Sequence, residues 1–429
     1  MKMKLPKLVY EIITLLESAH FVAYVVGGAC RDYLLGIEPK DYDITTSASV
    51  NEMLIIFKNY KIIETGLKHD TITIHKNNLD IEITSFRGEK NNIEDDLKLR
   101  DYTINSLAYH PRSGMIDITN GINDLENKVI KITENNASLI ETDPLRILRG
   151  IRLAYKYGFS IDKISEKTFF DYKDRLVDIS PERLREELNQ IIVCNYASDA
   201  FLKYLQIFET IIPELSPMVH FDQNNYYHIY DVYIHTLKVM DGVKRDKITR
   251  LAALFHDIGK PTTYTVDNEG NGHFYGHQEK SVEIAKKIML RLKYPNKEID
   301  AVLLLIRFHD YQLSNSKKNV RKFLSKFGSE YLNELLDLKQ ADILAQSHDY
   351  IYRIDDLMAV KKTIDEVIMS ALCFSIKDLN INGKNIIELG IPQGPIIKQI
   401  LNDLLTKVMS EELENQYDNL LEFTKNNYL

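Results

Sequence analysis

The chain has 429 residues, too many for one ordinary domain of ~150 residues, so several modules are expected. Hydrophobic residues make up 44% and charged residues 27%, which excludes a disordered or fibrous protein. The formal net charge is -8, from 54 basic and 62 acidic residues. A protein held to nucleic acid by bulk positive charge is therefore excluded, and any RNA partner needs a local basic patch.

Cysteine usage and the apolar segments indicate the compartment. Only Cys30, Cys194 and Cys373 occur, without a CxxC pair, so neither a disulfide framework nor a thiolate zinc site is expected. Glu11 and Glu17 interrupt the first apolar segment, and no run reaches the ~18 apolar residues of a membrane helix. These features predict a cytoplasmic protein without a membrane partner.

Strand-like and helical segments alternate over residues 1–126. The runs FVAYVVGG, DYDITT, TITIH, LDIEITSF and MIDI predict strands, whereas NEMLIIF and TINSLAY have helical patterns. From residue 127 onward the periodicity is almost entirely helical. The expected fold class is α+β: a mixed sheet with helices over 1–126, followed by helical regions over 127–225, 226–348 and 349–429.

Two aspartates on one predicted strand mark the first candidate site. Asp41 and Asp43 in DYDITT are two residues apart, so they share one face with Cα atoms ~6.6 Å apart. Two carboxylates on one face suit a pair of divalent metal ions that activate a 3'-hydroxyl and hold triphosphate oxygens. Glu82, on the strand DIEITSF, is the expected third acid.

The Gly-Gly pair before this strand suits phosphate binding. Gly27 and Gly28 let backbone N–H groups approach phosphates at a turn before a helix, and Arg31 adds positive charge. The alternative is that Asp41 and Asp43 are only turn and edge-strand acids and that the glycines only form a tight turn. Their occurrence together in this order favours the functional interpretation.

These motifs resemble the head signature of the class II tRNA nucleotidyltransferases, relatives of bacterial poly(A) polymerases within the DNA polymerase beta superfamily. The match begins at GGACRDYLLG and DYDITT and continues through EDDLKLRDYTINSLAY, DPLRILRGIRLAYKYGF, SPERLREEL and INGKNIIELGIPQGPIIKQIL. It implies two Mg²⁺ ions at Asp41 and Asp43. It also implies nucleotide binding by Gly27, Gly28, Arg31, Asp32, Arg100, Asp101, Asn105, Asp143, Arg146, Arg149 and Arg152.

In this family an Asp and an Arg act as a protein template for the incoming base, and they match Asp143 and Arg146. The chemistry is suitable, because a carboxylate only accepts and a guanidinium only donates hydrogen bonds. The alternative for Asp143 is a helix N-cap followed by Pro144 at the first helical position. The chain departs from the family at Thr142, where Glu is usual, and at Leu99, where Arg is usual.

A short connection bears on which nucleotides are added. Only eight residues, RGEKNNIE over 87–94, separate the predicted strand ending at Phe86 from the acidic segment that starts at Asp95. The resemblance implies that enzymes adding the terminal A carry a longer flexible loop here. The sequence therefore favours CC addition, and the alternative is a full CCA enzyme with a shortened loop.

A second constellation lies between Tyr230 and Asp342. It contains His235, His256-Asp257, His277, His309 and Asp342, and imidazole with carboxylate suits a transition metal or Mg²⁺. A single such histidine is more often a core residue. The set resembles the HD phosphohydrolase superfamily, which implies a metal site at His235, His256, Asp257 and Asp342. His277 and His309 match residues that act either as extra ligands for a second metal or as phosphate contacts. Lys260 matches a phosphate contact.

The sequence therefore predicts an enzyme that adds cytidines, as CC or whole CCA, to tRNA 3' ends from CTP and possibly ATP. It further predicts two Mg²⁺ ions in a nucleotidyltransferase head over 1–126 and a neck over 127–225. An HD domain with phosphohydrolase activity over 226–348 and a C-terminal body over 349–429 complete the chain. The alternatives are a poly(A) polymerase of the same family, an HD-type RNA-repair hydrolase with a vestigial head, and a non-catalytic tRNA-binding protein.

Overall fold

The structure is a computed structural model that describes residues 3–63, 70–76, 79–133, 136–370, 376–409 and 412–429. The chain divides into two compact units. The first comprises Met1–Tyr196 and Tyr204–Ile211, and the second comprises Ala197–Lys203 and Ile212–Leu429. The finer division into four regions stays a prediction. None of the helices in the described ranges has the length and apolar character needed to cross a membrane.

The first unit is built on a seven-stranded mixed sheet. Its strands are β1 (Ala23–Val26), β2 (Tyr42–Thr46), β3 (Lys61–Ile63), β4 (Thr71–Lys76), β5 (Leu79–Ser85), β6 (Leu107–His110) and β7 (Gly114–Asp117). Their spatial order is β3-β4-β5-β2-β1-β6-β7. Only β2 and β5 pair in parallel, and the other neighbours are antiparallel. The short β8 (Val129–Ile130) and β9 (Ser160–Ile161) form a separate parallel pair.

Side-chain alternation gives this sheet one apolar face. Ile81 and Ile83 on β5 are fully buried, as are Ile72 and Ile74 on β4, whereas Glu82 between the first pair is exposed. Because successive side chains point to opposite faces of a strand, burying the isoleucines places the acidic residues on the opposite face. The hydrophobic pattern of these strands therefore sets the orientation of the candidate site.

Eleven helices are found in the part of the chain described up to Ile211. They are α1 (Lys7–Ser18), α2 (Gly28–Leu34), α3 (Val50–Ile56), α4 (Ile93–Lys98), α5 (Gly121–Glu126), α6 (Asn136–Thr142), α7 (Arg146–Tyr157), α8 (Lys163–Tyr172), α9 (Pro181–Ile192), α10 (Ala197–Lys203) and α11 (Leu205–Ile211). All except α10 belong to the first unit. A mixed-sheet head followed by helices confirms the expected α+β class.

Two local predictions were wrong. TINSLAY, expected to be helical, forms a 3₁₀ turn over Thr103–Asn105 followed by strand β6. Strand β6 lies between β1 and β7, so pairing with two distant strands overrides the local helical pattern. The connection after β5 is also shorter than expected, because the strand ends at Ser85 and α4 already begins at Ile93.

Helix α7 approaches the head closely at Gly150. A Cβ atom built there would lie 2.2 Å from the hydroxyl oxygen of Tyr102 and 2.6 Å from Cζ of Phe169. The Tyr102 hydroxyl donates a hydrogen bond to the backbone carbonyl of Arg146, at 2.5 Å. Only glycine fits at this position. Because glycine has no side chain, α7 can lie against the segment EDDLKLRDYTINSLAY, called the second motif below.

In its described residues, the second unit is helical apart from one small hairpin, β10 (Thr265–Val266) paired with β11 (Gly272–His273). Besides α10, its helices are α12 (Val232–Gly242), α13 (Lys247–Phe255), α14 (Lys260–Thr263), α15 (His277–Arg291), α16 (Asn296–Phe308), α17 (Lys317–Phe327), α18 (Leu332–Leu344), α19 (Arg353–Ser370), α20 (Gly383–Glu388), α21 (Pro395–Met409) and α22 (Tyr417–Tyr428). Helices α12, α13, α16 and α18 pack together and bury the histidines of the second constellation.

Candidate functional site

The three predicted acids of the head lie on or beside the parallel strand pair. Asp43 on β2 is the register partner of Glu82 on β5, and Asp41 immediately precedes β2. All three side chains are exposed. The surrounding protein partly desolvates the Glu82 carboxylate, which raises its pKa. The negative charges of Asp43 and Asp41 raise this pKa further. The three carboxylates therefore share one electrostatic environment.

Cationic side chains surround Asp43. Desolvation by the surrounding protein raises the pKa of Asp43, while Arg100 and Arg149 lower it part of the way. Among the described residues, Asp41, Asp43 and Glu82 form no ion pair and do not have all their ligand atoms within 4.8 Å of one another. Carboxylates that remain unpaired on one face are available for hard cations such as Mg²⁺.

The predicted glycine turn lies directly beside this carboxylate. Gly27 has φ +70°, a conformation that residues with a Cβ atom rarely adopt. A Cβ atom there would lie 3.5 Å from Nη1 of Arg100 and 3.7 Å from Oδ2 of Asp43. Gly28 begins α2, where a Cβ atom would lie 3.4 Å from Nη2 of Arg31. The turn, the carboxylate and the second-motif arginine therefore converge.

Arg31 is buried and joins three elements. Its Nη1 donates to Oδ1 of Asn105 at 2.6 Å, and its Nε and Nη2 donate to Oδ1 of Asp32 at 2.9 and 2.8 Å. The guanidinium lies 4.9 Å from the ring centroid of Tyr157, whose hydroxyl donates to the same Asp32 oxygen at 2.9 Å. Sequence reasoning missed Tyr157, although it lies in the quoted motif DPLRILRGIRLAYKYGF.

Asp101 is the buried centre of the second motif. Its Oδ1 accepts the backbone N–H of Tyr102 at 2.9 Å and the side-chain amide of Asn105 at 3.1 Å. Its Oδ2 pairs with Nε of Arg149 at 2.8 Å. Burial alone would raise the pKa of Asp101, but the Arg149 charge and the Asn105 hydrogen bond outweigh burial and lower the pKa. Asp101, Asn105 and Arg149 thus form one network.

Asp96 holds Arg100 in place and was not predicted. Its side chain is fully buried, and its Oδ2 pairs with Nε and Nη2 of Arg100, each at 2.9 Å. Its Oδ1 accepts the backbone N–H of Arg87 at 3.1 Å. The acidic run EDD is consistent with several roles, and only the fold distinguishes the buried Asp96 from the exposed Glu94 and the half-buried Asp95.

The two predicted template residues each keep an unsatisfied polar atom. Oδ1 of Asp143 and Nη1 of Arg146 are buried without a hydrogen-bond partner in the described part of the chain. Oδ2 of Asp143 accepts from Nη2 of Arg183 at 2.9 Å, a contact the sequence did not reveal. The N-cap alternative was wrong, because α7 begins at Arg146 after Leu145 and has no side-chain cap.

Arg152 is engaged away from the acids. Its guanidinium pairs with Glu187 on α9, with Nε 2.6 Å from Oε2 and both side chains largely buried. The fold brings together Gly27, Arg31, Arg100, Asp101 and their partners. Arg152 instead connects α7 to α9. Its predicted contact with nucleotide stays a prediction.

The histidines of the second constellation converge on one buried carboxylate. Nε2 of His256 lies 3.1 Å from Oδ2 of Asp257, and Nε2 of His235 lies 3.5 Å from the same oxygen. Nε2 of His277 and of His309 lie 3.4 and 3.7 Å from Oδ1. Nε2 of His235 also lies 3.0 Å from Oδ1 of Asp342. All six predicted residues therefore meet.

The other ring nitrogen of each histidine contacts a backbone carbonyl. The Nδ1–H groups of His235, His256, His277 and His309 donate to the carbonyls of residues 345, 253, 274 and 306, at 3.3, 2.7, 2.9 and 2.6 Å. A carbonyl only accepts, so each neutral ring keeps its proton on Nδ1 and presents an Nε2 lone pair. This arrangement orients metal-ligating imidazoles in proteins.

The donor set fits divalent metal ions. Two groups of three have all their ligand atoms within 4.8 Å: His235, His256 and Asp257, and Asp257, His277 and His309. Nε2 of His235, Nε2 of His256 and Oδ1 of Asp257 are buried without a hydrogen-bond partner among the described residues. A buried orphan acceptor is costly, and a bound cation removes that cost. The two groups share Asp257.

Further polar residues complete this centre. Nζ of Lys260 lies 2.7 Å from Oδ2 of Asp257 and donates to Oε1 of Gln223 at 2.8 Å. His228 lies beside it, with Nε2 3.3 Å from the same Nζ. Burial and the Lys260 charge lower the pKa of His228 to about 2. Sequence reasoning missed Gln223 and His228, which precede the constellation between Tyr230 and Asp342 and match no spacing rule.

Comparisons with known proteins match the segments that carry both candidate sites. The model of the poly A polymerase head domain matches residues 23–131. The model described as a probable RNA and SrmB-binding site of polymerase A matches residues 158–219, and the HD domain model matches residues 225–347. Both predicted modules are therefore recognised independently of the motifs quoted above.

Whole-chain similarity extends these matches. A CCA-adding enzyme of Leuconostoc mesenteroides is 25% identical over 96% of this chain and 94% of its own. A CC-adding tRNA nucleotidyltransferase of Halalkalibacterium halodurans is 37% identical over 44% of this chain and 50% of its own. The crystal structure of the Bacillus stearothermophilus CCA-adding enzyme in complex with CTP is similar in fold, with TM-score 0.69 and 23% identity over 99% of this chain and 98% of that chain.

The head acids and the arginine network precede the buried histidine centre along the chain. The family models that match follow the same order. Both the head and HD models lie within the span that the CCA-adding relative covers. We conclude that the chain belongs to the class II tRNA nucleotidyltransferases, as a nucleotidyltransferase with an HD domain.

Proposed function

We propose that this enzyme adds two cytidines from CTP to the 3' end of tRNA and then stops. The observation that carries the base choice is the pair of buried, unsatisfied atoms on Asp143 and Arg146. An unpaired buried acceptor or donor costs about 1–3 kcal/mol, so a ligand that satisfies both is favoured. The carboxylate can accept from the exocyclic amine of cytosine, and the guanidinium can donate to its ring acceptors.

The proposed roles of the head residues follow from their positions. Asp41 and Asp43 hold two Mg²⁺ ions with Glu82 beside them, and bound Mg²⁺ would stabilise charge on the triphosphate. Arg100, held by Asp96, is directed toward the phosphates beside Gly27. In the reaction the terminal 3' oxygen bonds to the α-phosphorus, the bond to the β-phosphate oxygen breaks, pyrophosphate leaves and the hydroxyl proton passes to solvent.

The limit at two cytidines rests on the connection between β5 and α4. Seven residues, 86–92, join these elements, and hydrogen bonds hold this loop against neighbouring segments. The N–H of Arg87 binds Asp96 at 3.1 Å, and the side-chain amide of Asn91 donates to the carbonyl of Ser47 at 3.2 Å. A tethered loop of this length has little freedom to remodel the base pocket for adenine. A relative named as CC-adding supports this choice.

The HD domain is proposed to be a metal-dependent phosphoesterase. Its two groups of candidate ligands, which have Asp257 in common, would hold divalent ions, either a transition metal or Mg²⁺. Such ions lower the pKa of bound water. Lys260 supplies positive charge for the phosphate. In hydrolysis the water oxygen bonds to phosphorus, the ester P–O bond breaks and the departing oxygen takes up a proton. Candidate substrates are the 2'-phosphate or 2',3'-cyclic phosphate of damaged tRNA ends.

Replacing either metal-binding acid should abolish nucleotide addition without unfolding the protein. Asp41→Ala and Asp43→Ala each remove an exposed carboxylate, and loss of one such anchor costs ~100-fold or more in rate. Asp80→Ala is the matched control, because Asp80 is an exposed acid on β5 two residues before Glu82. CTP incorporation into tRNA and circular dichroism are measured. Wild-type rates in either variant would contradict the assignment.

Removal of the template pair should change base choice more than triphosphate affinity. Asp143→Ala and Arg146→Ala are expected to lose ~1–3 kcal/mol of discrimination between CTP and UTP, because the phosphates are held elsewhere. Arg175→Ala is the control, since Arg175 pairs only with exposed Asp178 among its described ion pairs. Single-turnover addition is measured with each nucleotide. Unchanged selectivity with lowered thermal stability would assign the pair a structural role.

Products should end at CC whatever nucleotides are supplied. Transfer RNA that lacks the terminal triplet should gain two cytidines from CTP, and transfer RNA ending in CC should gain almost no A from excess ATP. The 3' ends are sequenced after reactions with CTP, ATP and both. The first substrate controls for active enzyme. Efficient A addition to the CC end would make the protein a full CCA-adding enzyme.

The HD ligands should be needed for metal binding and hydrolysis but not for nucleotide addition. His256→Ala and Asp257→Ala are expected to lose bound metal, because each supplies a converging ligand atom. His220→Ala is the control, since its side chain is 93% exposed. Metal content is measured by mass spectrometry, together with 2'-AMP hydrolysis and CTP incorporation. Equal metal content in wild type and in the His256→Ala/Asp257→Ala double variant would leave the histidines as structural residues.

A further inference from the structure

Helix α7 is attached to the head at two points along its length. Near its start, Nε of Arg149 pairs with Oδ2 of Asp101 at 2.8 Å. At its last residue, the hydroxyl of Tyr157 donates to Oδ1 of Asp32 on α2 at 2.9 Å. Eight positions separate the two attachments on α7, which is ~12 Å along an α-helix. A helix held at one point can pivot about it, whereas two points at this separation fix its direction.

One continuous set of hydrogen bonds joins these two attachments through the head. Oδ1 of Asp32 accepts from Nε and Nη2 of Arg31, at 2.9 and 2.8 Å. Nη1 of Arg31 donates to Oδ1 of Asn105 at 2.6 Å, and the side-chain amide of Asn105 donates to Oδ1 of Asp101 at 3.1 Å. The set therefore begins and ends on α7, and we call it the α7 circuit. Its members are Tyr157, Asp32, Arg31, Asn105, Asp101 and Arg149.

The α7 circuit reaches both groups of residues that are proposed to hold the nucleotide. One group is the glycine turn, where a Cβ atom at Gly28 would lie 3.4 Å from Nη2 of Arg31. The other group lies at the start of α7, where Oδ1 of Asp143 and Nη1 of Arg146 are buried without a hydrogen-bond partner among the described residues. The circuit therefore connects the proposed phosphate site to the proposed base site.

Tyr157 contacts the circuit in two ways. Besides its hydrogen bond to Asp32, its ring centroid lies 4.9 Å from Cζ of Arg31, which is a cation–π distance. Burial raises the pKa of Tyr157 to about 12, so the hydroxyl remains a hydrogen-bond donor at neutral pH. Tyr157 follows Arg146 by eleven residues, ~16.5 Å along α7, and its hydroxyl is already engaged. It can therefore act on the base site only through the position of the helix.

We propose that Tyr157 is a positioning residue, which holds the base site at a fixed distance from the phosphate site so that one CTP molecule fits both. Within a nucleotide, the ribose sets the separation between base and triphosphate. A ligand that meets two prearranged sites gains affinity at the second without a further loss of translational and rotational freedom. Tyr157 contributes to this linkage and to neither site alone. The inference rests on the proposed base choice by Asp143 and Arg146 and adds a residue that acts through α7.

The test compares CTP, which spans both sites, with fragments that occupy one site each. Full-length protein is used with Mg²⁺ and tRNA that lacks the terminal triplet. Single-turnover incorporation gives the apparent Kd and the rate constant for CTP, and inhibition of this reaction gives Ki for cytidine and for inorganic tripolyphosphate. Tyr157→Phe should raise the Kd for CTP about 3- to 10-fold, because it removes one hydrogen bond. Both Ki values and the rate constant at saturating CTP should not change.

Two further variants separate linkage from structural support. Tyr157→Leu removes the ring as well as the hydroxyl, so it should raise the Kd for CTP more than Tyr157→Phe does. Tyr155→Phe is the matched control, because Tyr155 lies on the same helix but its ring packs against Tyr204, with centroids 6.1 Å apart, outside the circuit. It should leave every constant unchanged. Thermal melting of each variant is recorded, so that a loss of stability is distinguished from a loss of linkage.

The outcomes separate this inference from the proposed base site. An equal rise in the Kd for CTP and in both Ki values would mean that Tyr157 only supports the fold, and would overturn this inference alone. An unchanged Kd for CTP in Tyr157→Phe and in Tyr157→Leu would do the same. The base site has its own test, because Ki for cytidine should rise in Asp143→Ala. If that Ki does not respond, the proposed base site is refuted, together with the inference that rests on it.

Discussion

A carboxylate that is buried must be paired, and this constraint shapes both sites of the chain. Asp101 is buried between the second motif and α7, where Arg149 and Asn105 compensate its charge. Asp257 is almost completely buried among the histidines, with Lys260 2.7 Å away. Removing a partner from such a pair costs about 3–5 kcal/mol, so the partners and the helices that carry them are held in place.

In the head, this pairing separates the residues proposed to bind phosphates from those proposed to select the base. The glycine turn, Arg100 and the exposed acids of β2 and β5 lie together, where phosphates and cations of opposite charge can meet. The unsatisfied atoms of Asp143 and Arg146 lie at the start of α7. The Asp101–Arg149 ion pair connects the motif that carries Arg100 to that helix. This ion pair therefore fixes the residues proposed for phosphate binding relative to those proposed for base selection.

In the second unit, the same constraint produces a candidate metal centre rather than an ion-pair network. Each of its four histidines donates one N–H to a backbone carbonyl and points the other nitrogen at Asp257. A neutral imidazole beside a carboxylate is a metal ligand, whereas a protonated one would repel the ion. Deep burial helps to keep His309 neutral, because it lowers its pKa to about 3.

Local sequence patterns determined the strands with alternating isoleucines, the predominantly helical remainder and the ordered motifs, because these depend on backbone periodicity and short spacing. Tertiary structure decided what depends on residues far apart in the chain. It turned TINSLAY into a strand through pairing with β1, and gave Asp143 the distant partner Arg183 in place of a capping role. It also selected Asp96 and His228 as members of the sites, since only packing determines which polar side chain is buried beside a functional group.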